Sequence, residues 1–243
     1  MGTLDGIIRD LVVANRILAH EGVLDAYGHV SVRHPSDPGR YLLSRSRSPQ
    51  LVGADDILEY SLEGEAPRRK GAAQYTERHI HGAIYEARPD VQAVVHSHAD
   101  EVLPFSVASA PLRPVIHTAS GIGARVPVWD IRDRFGNTDL LVSKMEHGRD
   151  LAQRLAGGPV VLMRGHGFAA AARALREVVK TAVYIPRNAR VLTEALRLGD
   201  VKYLSQEEID LRFAADSRPE RFDRAWEYWS LRAGVRVQSR KRR

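Results

Sequence analysis

The stretch VQAVVHSHAD, residues 91–100, reads as a buried strand that ends in two histidines separated by one serine. Side chains at i and i+2 of a strand leave the same face. His96 and His98 therefore point together from one side of the strand's end, as a divalent cation requires of two neighbouring ligands. A third histidine, His166, follows another apolar run in VVLMRGHGF (160–168), between glycines that let backbone crowd a ligand. Glu77 opens the helical stretch before the histidine strand. Three neutral imidazoles and a carboxylate suit Zn, Mn, Fe or Co in a site that keeps a position free for chemistry. A His-x-His pair alone is equally compatible with a core strand. The added Gly-His-Gly and glutamate favour a metal.

Composition narrows the alternatives. Hydrophobic residues make up 44% of the 243, enough to bury one large core. Cysteine is absent, so a metal must be held by nitrogen and oxygen. The opening segment MGTLDGIIRDLVVANRIL mixes charges into its apolar positions and predicts an amphipathic helix, not a signal peptide. No apolar run reaches the length of a membrane span, and a cytoplasmic protein is expected. The net charge of +6 is concentrated in Arg68-Arg69-Lys70 and in the last eight residues. The expected organisation is one domain over residues 1–235 and a solvated, disordered basic tail over 236–243. Aromatics are 7% of the chain, and no basic stripe is interleaved with stacking rings, which argues against nucleic acid as a partner.

Apolar spacing predicts helices over Leu4–His20, stopped at Gly22, and over Thr76–Ala87, with Thr76 as N-cap and Pro89 as terminator. Further helices are predicted from about Asp100, over Lys144–Leu155, over Leu175–Leu198 with a break at Pro186, over Leu204–Glu208 and over Glu220–Leu231. Strands are predicted over His29–Arg33 and Arg40–Ser44 as a hairpin, and over Asp55–Tyr60, Val91–His96, Val115–Thr118, Arg125–Val128 and Val160–Met163. The order is mixed α/β.

YGHVSVR (27–33), SRSRSP (44–49), YTERHIHGAIYEARPDVQAVVHSH (75–98) and MRGHG (163–167) resemble the class II aldolase/adducin family, across nearly the whole chain to about residue 210. The resemblance implies a three-layer α/β/α sandwich around a mainly antiparallel sheet, assembled as a homotetramer with sites between subunits. It implies metal ligation by His96, His98 and His166. Glu77 would be the acid/base or a transient ligand.

The departures from the family's sugar-phosphate aldolases bear on chemistry. Those enzymes hold phosphate with an Asn, a Thr-Gly turn and a Ser-Ser pair, where this chain has His29, Ser46-Arg47 and Tyr75-Thr76. Their proton-donating tyrosine is replaced by His117-Thr118. The pattern is similar to the family's aromatic decarboxylases, which act on hydroxypyridine dicarboxylates and dihydroxyphthalates. The alternatives are an aldolase, a non-haem iron oxygenase and a non-catalytic adducin-like module. For a decarboxylase, the metal would act as a Lewis acid on the ring hydroxyl of a small aromatic carboxylate. Glu77 would donate the proton, its pKa raised by desolvation. His29 would donate or orient instead, or simply be a core histidine. Arg45 or Arg47 would clamp a second carboxylate. Ser31, Arg33 and Ser46 are the other expected substrate contacts. His81, one turn beyond Glu77, is either a partner behind the site or a helix contact.

Overall fold

A computed structural model of the protein describes residues 3–67, 72–216 and 220–235. The basic loop at 68–70 and the tail from 236 lie outside the described residues. The first helix, α1 (Leu4–His20), starts where the Thr3 hydroxyl accepts the Gly6 amide, and ends before Gly22, whose φ of +71° suits a residue without a Cβ. Three antiparallel strands follow: β1 (His29–Arg33), β2 (Arg40–Ser44) and β3 (Ile57–Ser61). Next come α2 (Arg78–Ala87), β4 (Ala93–Ser97), α3 (Leu103–Val107), β5 (Val128–Trp129) and α4 (Arg132–Phe135). The chain then forms α5 (Met145–Leu155), β6 (Val160–Met163), β7 (Gly167–Ala172), α6 (Leu175–Leu198), α7 (Gln206–Asp216) and α8 (Glu220–Arg232).

The sheet order is β3-β2-β1-β4-β7-β6-β5, antiparallel except for the β5–β6 pair. Alternation divides its side chains between two cores. Val30, Val32, Leu42, Val95 and Phe168 pack against α1, α6 and the Trp226/Trp229 pair of α8. Leu43, Val94, Val161 and Ala169 pack on the other face against Ile80 and Ile84 of α2 and Leu151 and Leu155 of α5. The result is the three-layer α/β/α sandwich with a mainly antiparallel sheet. Among the described residues no helix is long and apolar enough to cross a membrane.

Several local expectations are corrected. The Val115–Thr118 segment is not a strand. Asn188 of α6 takes the Val115 and Ile116 amides on Oδ1 (2.8 and 3.4 Å) and gives its own amide to the Arg113 carbonyl (2.8 Å), after which a 3₁₀ turn starts at His117. Of Arg125–Val128 only the last residue joins a strand. Pro186 does not break α6, which continues for 24 residues. Packing along its buried face, including Ile185, Ala189 and Leu192, outweighs one missing donor. The expected Leu204–Glu208 helix is displaced and longer: Ser205 and Glu208 form a reciprocal cap for α7. Strand β7 was not expected, and α2 begins after Glu77, not Thr76.

Candidate metal centre

Sheet pairing builds the site. His29 on β1 stands opposite His96 on β4, so both rings leave the α2 face at one end of the sheet. His98 lies just beyond β4, and His166 just before β7, the neighbour of β4 on its other side. Gly165 turns the chain there with φ +62°. At Gly167, a Cβ would stand 2.0 Å from the Ser97 carbonyl oxygen, so only glycine lets β7 meet β4 this closely and deliver His166. The helix side contributes Glu77, the N-cap residue of α2. Its side chain does not cap the helix but turns to the histidines.

The four donors are Glu77, His96, His98 and His166, whose ligand atoms all lie within 4.8 Å of one another. Nε2 of His98 is 3.0 Å from Nε2 of His96 and 3.2 Å from that of His166. Glu77 Oε2 is 3.3, 3.4 and 4.0 Å from Nε2 of His96, His166 and His98. A tetrahedral cation with bonds of about 2.1 Å sets its ligands about 3.4 Å apart, so the donor set fits one. The outer ring nitrogens strengthen the case. His96 Nδ1 meets the Phe168 carbonyl (3.1 Å), His166 Nδ1 the Leu140 carbonyl (3.0 Å), and His98 Nδ1 the Asp25 carboxylate (3.2 Å). Each of these oxygens requires a proton on Nδ1, which leaves three Nε2 lone pairs and a carboxylate converging. A divalent cation satisfies all four at once.

Electrostatics overturns one expectation. Burial alone would raise the Glu77 carboxyl, but His96 and His166, whenever they carry a proton on Nε2, hold it far below the usual carboxylate range by charge and hydrogen bonding. Glu77 rests as a carboxylate, not as a proton-loaded acid. The Val142 amide donates to Oε1 (3.0 Å) and keeps Oε2 aimed at the cluster. Burial lowers His166, but the Glu77 carboxylate, with the Leu140 carbonyl and Asp25, more than offsets this and moves the ring upward.

Behind the cluster lies a buried string. His29 Nδ1 is 2.6 Å from His81 Nε2, His81 Nδ1 is 2.6 Å from Ser31 Oγ, and Ser31 Oγ is 2.8 Å from the Tyr85 hydroxyl. His81 therefore packs behind the site. Burial, with the neighbouring His81 and His96, holds His29 well below its ordinary value, and burial brings His81 to about 3. Arg33 departs from expectation. It lies four residues along β1 from His29, about 13 Å away. Its guanidinium is taken up by the carbonyls of Val91, Pro38, Tyr85 and Arg88 (2.7–2.9 Å). The structure does not bring it to the cluster, and Ser31 faces the string instead of an open pocket.

Arg45, Ser46 and Arg47 lie in the turn after β2. Asp56 accepts Arg45 Nε (2.6 Å) on Oδ1 and Arg47 Nη1 on both oxygens (3.1 Å), while Ser46 gives its amide to the Ala73 carbonyl (2.7 Å) and stays exposed. Tyr75 joins this turn to the histidines. Its hydroxyl donates to the Arg47 carbonyl and its ring lies 4.5 Å from that of His29, which is 5.1 Å from His96. Sequence reasoning missed Asp25, Asp56, Tyr75 and Tyr85 as partners. Tyr75 stood out only as a replacement in the phosphate cradle, and Asp25 lies in a turn where it accepts the Tyr27 and Gly28 amides.

The family described as Class II Aldolase and Adducin N-terminal domain matches residues 9–193. The chain is 37% identical over 205 residues to Decarboxylase tropJ of Talaromyces stipitatus, covering 79% of this chain and 77% of that protein. It is 30% identical over 190 residues to a 3,4-dihydroxyphthalate decarboxylase of Arthrobacter keyseri, covering 72% and 73%. Its fold matches that of the L-fuculose 1-phosphate aldolase from Glaciozyma antarctica with a TM-score of 0.74, over 97% of this chain and 96% of that one at 19% identity.

Proposed function

Since the chain belongs to the class II aldolase and adducin family, we propose that it is a metal-dependent, non-oxidative decarboxylase of a hydroxylated aromatic or pyridine ortho-dicarboxylate. The observation that carries this reading is the wall beside the histidines, where His29, Tyr75 and the Arg45–Arg47 turn replace a small polar phosphate cradle with a ring surface and fixed positive charge. Similarity to two decarboxylases, one named for a dihydroxyphthalate, supports it.

A divalent cation held by His96, His98 and His166 would supply Lewis acidity toward the ring hydroxyl and its neighbouring carboxylate. The chain's own residues do the rest. Glu77, unprotonated at rest, takes the hydroxyl proton on Oε2 and returns it to the ring carbon that bears the carboxylate. The carbon–carbon bond then breaks, its electron pair passes through the ring to the former hydroxyl oxygen, and CO₂ leaves. A proton from water restores the hydroxyl. Arg47 gives Nη1 to Asp56 and has further donors for the second carboxylate, while Arg45 supports it. Arg45, Arg47 and Asp56 sum to one positive charge, enough for one spectator carboxylate.

Anaerobic CO₂ release from a dihydroxyphthalate or a hydroxypyridine dicarboxylate, with Zn, Mn, Fe or Co supplied in turn, is the expected result. Aldehyde release from a ketose phosphate, or a strict requirement for O₂, would replace this reading with an aldolase or an oxygenase.

The enzyme is further proposed to act in the cytoplasm as a homotetramer. Tyr27, two residues before His29, and Val107, beside Gly165, are 74% and 63% exposed in the isolated chain. A neighbouring subunit seated on this side would cover both side chains. Light scattering should return a tetramer. An active monomer at micromolar concentration would contradict this.

A further inference from the structure

We infer that Tyr85 and Ser31 act through His81 to hold His29 in the Nε2–H form, as a neutral hydrogen-bond donor to the substrate's oxygen. The argument starts at the closed end of the string. Tyr85 is 1% exposed, and a buried phenol proton needs an acceptor. Among the described residues Ser31 Oγ is the side-chain acceptor within reach, at 2.8 Å. Tyr85 therefore donates to Ser31. Ser31, fully buried, must send its own proton to His81 Nδ1, its other partner at 2.6 Å. His81 then accepts on Nδ1, carries its proton on Nε2, and gives it to His29 Nδ1 at 2.6 Å. His29 is left with its proton on Nε2. The reverse direction would strand the Tyr85 proton without an acceptor.

The consequence for chemistry is specific. A neutral imidazole N–H is far too weak an acid to protonate a ring carbon, but it donates a strong hydrogen bond to an oxygen that gains charge. His29 takes that part while Glu77 moves the proton. Ser31 and Tyr85, which touch neither metal ligands nor substrate, are positioning residues. This inference rests on the decarboxylase reading only for the identity of the oxygen; the tautomers are a property of the chain itself.

Histidine-selective ¹⁵N labelling and long-range ¹H–¹⁵N spectra of the full-length protein, with zinc and without, read the tautomers directly. Both His29 and His81 should carry their proton on Nε2. In Ser31→Ala, His81 loses its donor at Nδ1, and both rings should shift toward the Nδ1–H form, with metal content unchanged and kcat lower by about 10- to 100-fold. Ser31→Thr should restore both the tautomers and the rate, which separates a lost hydroxyl from a damaged fold. A wild-type His29 protonated on Nδ1, or tautomers unaltered in Ser31→Ala, would overturn the inference. Correct tautomers in a protein that releases no CO₂ from any hydroxy-dicarboxylate would instead remove the substrate reading and leave the string's direction standing.

Discussion

Replacing His96 and His98 together by alanine should reduce the metal content of the purified protein, measured by elemental analysis, from about one equivalent per chain to less than about a tenth. The two rings supply half of the four converging donors, and no other donor stands ready to replace them in that group. Stability should follow. A metal present at 100 times its dissociation constant stabilises the folded state by about 2.7 kcal/mol. In a chain of this size a chelator should then lower Tm by roughly 5–11 °C. The double variant should show no chelator response, because it has no metal to lose. Equal metal content in the two proteins would remove the centre from these residues.

Glu77→Gln should lower kcat by at least ~100-fold while metal content stays near that of the wild type. The three histidines keep their outer hydrogen bonds to Phe168, Asp25 and Leu140 in this variant, so ligation survives. The glutamine can still accept the Val142 amide on its oxygen, which preserves the local fold. It cannot take up a proton at the position of Oε2. Full activity in Glu77→Gln would move the proton-transfer role to another group, such as water at the metal.

The sequence made the candidate site legible where one rule of local geometry was enough. The period of two along β4 placed His96 and His98 on a common face, and the glycines around His166 marked a close approach of backbone, realised where Gly167 meets Ser97. The same period misled for Arg33. It shares a face with His29, but distance along β1 takes it to the far end, where carbonyls claim it. Strand β7, GFAAAA, was invisible because alanine and glycine carry weak strand preference. Pairing with β4 on one side and β6 on the other decides its conformation. Val115–Thr118 failed in the opposite sense: β-branched residues suggested a strand, but one side chain far along the sequence, Asn188, claims its amides. The charge state of Glu77 depends on His96 and His166, from two other segments, and no reading of α2 alone contains it.

Among the described residues the string from His29 ends at the Tyr85 phenol, which has no side-chain hydrogen-bond partner beyond Ser31. A wire that conducted protons would need water at its inner end, whereas this one stops at a buried phenol carried by α2 itself. It behaves as a frozen dipole that polarises without conducting. On the proposed decarboxylase reading, substrate and CO₂ would pass on the side where His98 and His166 approach the surface. On that reading a bound substrate would shield the site from bulk water, and the ring carbon would take the proton that the substrate's own hydroxyl supplied.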